Sequence, residues 1–200
     1  MKKVGIMGGT FNPIHFAHLI LAEQAYEQYG LDEVVFMPSK RPAYKDLKEV
    51  VEEEHRQRMI EVAIAKNSHF RIDTMEFTRE GNTYTADTLL ELTKNNPLVE
   101  YYFIIGADSL FQLERWSRPE VILSCATILA ANRAEINLEL VNDKIKELVK
   151  AYHAKIHVLK IPQIDISSKM IRSCIQEGKT IRYYVPEDVN EYIKDHRLYE

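Results

Sequence analysis

Two stretches far apart in the chain carry residue types able to handle phosphate. The first, Gly8-Gly9-Thr10-Phe11-Asn12-Pro13-Ile14-His15-Phe16-Ala17-His18, follows a short apolar run and leads into a helical pattern. Glycines let backbone N–H groups come close to a ligand. Thr10 adds a hydroxyl, and Pro13 stiffens the turn. His15 and His18 are three residues apart, so on a first helical turn both imidazoles face one point. A helix N-terminus with two imidazoles suits a polyphosphate, because its N–H groups and its dipole both favour anions. The second stretch, Ile166-Ser167-Ser168-Lys169-Met170-Ile171-Arg172, also opens a helix. Ser167 reads as its N-cap. With phosphate nearby, Ser168, the first-turn N–H groups and Arg172 would form a second anion-binding end.

Plainer readings stand beside these. The glycine pattern is neither the dinucleotide fingerprint Gly-x-Gly-x-x-Gly nor a Walker loop, since no Gly-Lys-Ser/Thr follows. A zinc pair at His15 and His18 lacks a third ligand at suitable spacing, so no metal site is assigned to side chains. Two satisfied core histidines remain the ordinary alternative. Gly106-Ala107-Asp108-Ser109 lies where a strand is expected to end, with Asp108 capping a following helix as its dull reading. Asn82-Thr83-Tyr84-Thr85-Ala86-Asp87-Thr88 reads as a helix-capping turn, and Trp116, the only tryptophan, as a core residue.

These residues must be positioned by a scaffold, and the apolar pattern describes one. Runs at 4–7, 34–37, 70–74, 101–105, 126–131 and 156–161 read as strands. Several are near-continuous apolar runs, as expected for strands buried on both faces of a parallel sheet. Leu19, Ala22, Tyr26 and Tyr29 form a helical stripe ended by Gly30, and Leu138, Val141, Ile145, Leu148 and Tyr152 form another. Strand–helix alternation predicts an α/β, doubly wound, mostly parallel sheet with right-handed crossovers. Both the glycine turn and Gly106 then fall at carboxyl ends of strands, where such sheets bind ligands. A loop at 38–48, rich in Pro and cations, follows the second strand, and the acidic run 49–54 reads as a solvated helix start. After the sixth strand, 167–176 and 186–195 read as helices. The expected organisation is one domain, 1–200, with 167–200 as a C-terminal helical cap.

Composition narrows the partners. The chain has 200 residues, 46% hydrophobic and 28% charged, with a net charge of −4 and no long run of one sign. A nucleic-acid surface would need clustered Lys and Arg to displace counterions, so none is expected. No apolar stretch approaches the length that spans a bilayer, and the apolar start is cut short by Gly8-Gly9-Thr10, so neither membrane nor secretion signal is expected. Cys125, at the edge of an expected strand, and Cys174, in an expected helix, read as reduced thiols of a cytoplasmic protein.

Gly-Gly-Thr-Phe-Asn-Pro-x-His-x-x-His at residues 8–18 resembles the signature of the nucleotidyltransferase superfamily and, more narrowly, of the bacterial nicotinate mononucleotide adenylyltransferases. The Ile166–Arg172 stretch is similar to that family's Ile-Ser-Ser-Thr-x-x-Arg element, with Lys169 in place of the usual Thr or Ser. Ala17 stands where the family's His-x-Gly-His has glycine, the smallest departure available. Residues 185–193 with Leu198-Tyr199 resemble the family's C-terminal helix, so the likeness spans essentially the whole chain.

That resemblance implies a Rossmann-like fold and a reaction: transfer of AMP from ATP to nicotinate mononucleotide, releasing pyrophosphate, in NAD biosynthesis. It implies His15, His18, Ser168 and Arg172 as the catalytic set around the triphosphate. Gly8, Gly9, Thr10, Phe11, Gly106, Asp108, Ile166 and Ser167 would bind ATP. Asn12, Lys45, Tyr84, Thr85, Trp116 and Arg133 would bind the mononucleotide, with the Tyr84 and Thr85 N–H groups on the nicotinate carboxylate and Trp116 against the pyridine ring. Mg²⁺ would come with ATP, held by substrate and water. The substrates are small molecules; a homo-oligomer is compatible with the sequence. Two alternatives stay open here: a sister transferase using nicotinamide mononucleotide or phosphopantetheine, and a non-catalytic nucleotide-binding sensor.

Overall fold

The computed structural model describes residues 1–40, 50–131 and 137–200. Six parallel strands form one sheet in the order β3-β2-β1-β4-β5-β6. They are β1 (Lys2–Gly9), β2 (Glu33–Pro38), β3 (Phe70–Ile72), β4 (Val99–Gly106), β5 (Thr127–Ala131) and β6 (Ile156–Leu159). The strand order reverses between β1 and β4, whose Met7 and Ile104 lie in register, while Gly9 of β1 pairs with Pro38 of β2. A crevice opens at such a reversal, outside the carboxyl ends of the strands. The glycine turn leaves β1 at that crevice.

Helices cover both faces, because the strands are apolar on both. On one face α1 (Phe16–Tyr29), α2 (Glu53–Ile64), α7 (Ser168–Gln176) and α8 (Glu187–Asp195) pack on a core that includes Met7, Phe36, Ile104 and Leu159. On the other, α3 (Thr85–Asn95), α4 (Ala107–Gln112), α5 (Pro119–Cys125) and α6 (Leu138–Tyr152) pack on Val4, Ile6, Val35 and Phe103. Adjacent β1 residues Ile6 and Met7 thus serve opposite cores, the period-two signature of a strand. The expected doubly wound sheet is the observed one.

Some boundaries move, for local reasons. β3 stops at Ile72, because the Asp73 carboxylate accepts the Met75 N–H at 3.0 Å and turns the chain into a short 3₁₀ segment, Met75–Thr78. β6 stops at Leu159, since the Gln28 side chain takes both backbone groups of Lys160. α1 buries Ala17, Leu21, Ala22 and Ala25, while Leu19, Tyr26 and Tyr29 of the expected stripe are half-buried beside them. Small side chains on the inward face let that helix lie close to the sheet. Gly30 ends it in the left-handed conformation (φ 57°). Cys125 closes α5 rather than a strand, and neither it nor Cys174 is in a disulfide. Among the described residues no helix is long and apolar enough to cross a membrane.

Candidate active site

Gly8 and Gly9 end β1 beneath aromatic rings. A Cβ on Gly8 would lie 3.2 Å from the Phe103 ring, and one on Gly9 would lie 3.1 Å from the Phe11 ring. Glycine therefore suits the close packing as well as access, since a Cβ would press each ring by a few tenths of an ångström. Phe11 itself has φ 49°, is 2% exposed, and meets the His18 ring edge-on at 5.0 Å. The chain then turns into α1 with His15 at the N-cap.

His15 and His18 do face one another. Their rings stack at 3.7 Å with 24° between planes, and the His15 N–H donates to His18 Nδ1 at 3.3 Å. With Nδ1 accepting, the proton of a neutral His18 ring resides on Nε2, which makes that nitrogen a donor. The open N-terminal N–H groups expected of α1 are partly committed, however. Phe16 N–H donates to the Tyr184 carbonyl at 3.0 Å, and His18 N–H to the His15 carbonyl at 3.0 Å. His15 is itself only 2% exposed, so at this helix end the half-buried His18 is the more open imidazole.

The second helix start meets the first. The Ser167 hydroxyl oxygen caps α7 by accepting the Met170 N–H at 3.2 Å, as expected. Ser168 donates its hydroxyl to the Pro13 carbonyl at 2.9 Å, and Arg172 Nη1 donates to the Asn12 carbonyl at 3.0 Å. Asn12, expected at the mononucleotide, instead has a side-chain oxygen taken by structural partners. It accepts the Tyr199 hydroxyl at 3.0 Å and the Val51 N–H at 3.2 Å, and the residue is 4% exposed. Burial raises the Tyr199 phenol well above its ordinary range, with Arg172 and Arg56 pulling the other way. Tyr199 is therefore a neutral donor.

Arg56 completes this underside and was not singled out from sequence. Only 1% exposed, it donates Nε to the Val51 carbonyl and Nη1 to the carbonyls of Thr10 (3.0 Å) and Ser39 (2.7 Å). Its guanidinium also lies 5.2 Å from the centre of the Phe77 ring. Burial lowers its pKa, with Glu53 and Tyr199 acting in the opposite sense. Arg56 stands three and four residues before the buried Met59 and Ile60 on α2, hence on their helix face, which was the available signal.

A cavity of about 430 Å³ lies on the other side of the glycine turn. Gly8, Gly9 and Thr10 form one wall, and Thr83, Tyr84, Thr85 and Trp116 form others. Thr10 thus has its carbonyl held by Arg56 and a place on the cavity wall. Tyr84 is the N-cap of α3 and Thr85 its first residue, so this cavity faces a helix start. Trp116 is half-buried, edge-on to Phe103 with ring centres 6.3 Å apart, rather than sealed in the core. Glu76, 8% exposed, also lines the cavity and was missed.

Gly106 is the N-cap of α4, at the carboxyl end of β4, and a Cβ there would meet nothing within 4 Å. Asp108 is exposed in the first turn and makes no side-chain cap, so its dull reading does not hold. Ile166 is half-buried against the α1–α7 core. Lys169 is exposed and lines a separate polar cavity with Arg172 and Tyr199. Lys45 and Arg133 lie outside the described residues.

A family model described as cytidylyltransferase-like matches residues 6–174. The chain is 60% identical over 199 residues to a protein of Lachnoclostridium phytofermentans named probable nicotinate-nucleotide adenylyltransferase, with 100% of both chains covered. It is 39% identical over 199 residues to one of the same name from Geobacillus thermodenitrificans, covering 100% of this chain and 87% of that one. The chain belongs to the nicotinate-nucleotide adenylyltransferase family. It is accordingly a nucleotidyltransferase. The family fold extends to a Plasmodium falciparum nicotinic acid mononucleotide adenylyltransferase complexed with NaAD. That likeness has a TM-score of 0.84 at 21% identity, covering 100% of this chain and 98% of that chain. At such low identity it speaks for the fold alone, and the six-stranded sheet agrees with it.

Proposed function

We propose that this adenylyltransferase joins the AMP half of ATP to nicotinate mononucleotide. The mononucleotide phosphate oxygen attacks the α-phosphorus in line, the bond from that phosphorus to the bridging oxygen breaks, and pyrophosphate leaves. No protein nucleophile is required, because the attacking phosphate is already nucleophilic. The obstacle is repulsion between two anions, so catalysis is positioning and charge neutralisation. The observation that carries this reading is the meeting of two helix starts on one loop, Ser168 on Pro13 and Arg172 on Asn12, beside a cavity lined by Trp116 and the start of α3.

In this reading His15, His18, Ser168 and Arg172 surround the triphosphate. The loop Gly8–Phe11 with Gly106, Asp108, Ile166 and Ser167 receives the rest of ATP. The cavity takes the pyridine ring against Trp116, with its carboxylate at the N–H groups of Tyr84 and Thr85, as anions are held at helix starts. Asn12 acts there through the loop it holds rather than by direct contact. Lys45 and Arg133 would add cations for the mononucleotide phosphate.

The side chains around the loop are imidazole, hydroxyl and guanidinium, which suit phosphate oxygens. Among the described residues no three His, Cys, Asp or Glu side chains group to hold a metal. A Mg²⁺ arriving on ATP would fit, held by phosphate oxygens and water, and would supply charge neutralisation on the leaving pyrophosphate.

The test is pyrophosphate release from Mg-ATP with each pyridine mononucleotide. Release with nicotinate mononucleotide, and a clearly lower kcat/KM with the nicotinamide form, is the expected result. Equal or reversed preference would move the chain to a sister specificity. No release with either would leave a nucleotide-binding protein without this activity.

A further inference from the structure

The cavity that takes the pyridine in the reading above has one carboxylate among its described lining residues, Glu76, and that carboxylate is tied to both sides of the α3 start. Glu76 Oε1 accepts the Thr88 hydroxyl at 2.6 Å, and the Thr83 hydroxyl donates to the same carboxylate. Thr83 immediately precedes the N-cap Tyr84, and Thr88 lies one turn into the helix. All three are buried: Glu76 and Thr83 are 8% exposed and Thr88 2%. Arg79 Nη1 donates to Thr88 Oγ1 at 2.6 Å, while its Nη2 pairs with Glu91 at 2.6 Å. The result is a donor chain, Arg79 to Thr88 to Glu76, in which each bond polarises the next.

The N–H groups of Tyr84 and Thr85 lie between the two tied residues. A helix start presents its donors at a definite height only if the chain on both sides is fixed. The 3₁₀ segment Met75–Thr78 that carries Glu76 is itself fixed to the end of β3 by the Asp73 turn. We propose that Glu76 is a positioning residue for pyridine recognition: bound to Thr83 and Thr88, it holds the Tyr84–Thr85 backbone donors where the acid group of the pyridine meets them. It acts by accepting two hydroxyl hydrogens rather than by touching the substrate. Its substrate effect is therefore confined to the mononucleotide side of the reaction. This rests on the assignment of the cavity to the pyridine.

The role separates from simple stability by a KM split. Glu76→Leu removes both acceptors while keeping the bulk. It is expected to raise the KM for nicotinate mononucleotide about tenfold, the effect of losing one or two modest hydrogen bonds, and to change the KM for ATP less than about twofold. Glu76→Gln retains an oxygen acceptor and is expected to restore the mononucleotide KM to within about threefold. If Glu76→Leu does not fold, Thr83→Val, which cuts the tie from the loop side, is expected to give the same split. An unchanged mononucleotide KM in a folded Leu or Val variant overturns the proposal. So does a parallel rise in both KM values, or a Gln variant as impaired as the Leu variant. Wild-type protein inactive with nicotinate mononucleotide would instead defeat the underlying reading of the cavity, so the two failures are distinguishable.

Discussion

Ser168 donates its hydroxyl hydrogen to the carbonyl of Pro13 at 2.9 Å, across 155 residues of sequence. The bond fastens the start of α7 to the loop that turns into α1. Arg172, one turn further, does the same to Asn12. Tyr199 and Val51 hold the Asn12 side chain, and Arg56, which also bonds Val51, holds Thr10. The loop that leads into the histidines is thus held at three residues, Thr10, Asn12 and Pro13, by four separate parts of the chain. Its geometry is set before a substrate arrives, the condition for electrostatic catalysis.

His18 is the member of the histidine pair whose Nδ1 is occupied and whose Nε2 is a donor in the neutral ring. His18→Ala should lower kcat by roughly 10²–10³, the size of losing one preorganised donor. Steady-state turnover with Mg-ATP checks it; near-normal turnover would remove His18 from the reaction.

Trp116 meets the cavity half-buried, so its removal should empty a binding surface without opening the core. Trp116→Ala should weaken mononucleotide binding by about 0.5–1.5 kcal/mol, the range for an aromatic stacking contact. A rise in the ATP KM with the mononucleotide KM unchanged would assign Trp116 to the other substrate.

Arg56 is a buried cation whose donors reach the carbonyls of Thr10, Ser39 and Val51. Arg56→Met should cost about 1–3 kcal/mol for each carbonyl left dry in the interior. Urea unfolding measures this directly. An unchanged midpoint would mean that water or a neighbour replaces the guanidinium.

Glu76 gives a pH dependence of stability with a definite sign. Burial raises its pKa above the ordinary 4.5, while the Thr88 hydroxyl, Arg79 and the Thr83 hydroxyl oppose that rise. The folded protein therefore binds the Glu76 proton more tightly than the unfolded chain. The associated stability is fully present below about 4.5 and is lost as pH rises through the folded-state value. Glu76→Gln cannot ionise, so its Tm relative to wild type should improve as pH is raised from 4 toward neutrality. A Tm difference independent of pH across that window would contradict the assignment.

The sheet was legible because buried parallel strands are written as continuous apolar runs, and 34–37, 101–105 and 126–131 could be little else. The glycine turn and the double serine were legible because their chemistry is local. α5 was not, since it has seven residues, begins at Pro119 behind Arg118 without a side-chain cap, and carries Val121-Ile122-Leu123, a run that also suits a strand. The contacts of the Asn12 side chain were not legible for a different reason. Its oxygen is claimed by Val51 and Tyr199, 39 and 187 residues away, and no spacing rule relates such positions. Arg56 and Glu76 escaped notice likewise: a buried charge is identified by what surrounds it in space.

The central claim is that the two helix starts act on one triphosphate. A double-mutant cycle of His18→Ala and Ser168→Ala, read as kcat/KM for ATP at saturating mononucleotide, tests it most directly. Residues acting on a shared group should be non-additive, the double variant losing less than the sum of the single losses by about 1 kcal/mol or more. Losses that add to within about 0.5 kcal/mol would mean that the imidazole and the hydroxyl serve separate places, and the shared cradle would not exist.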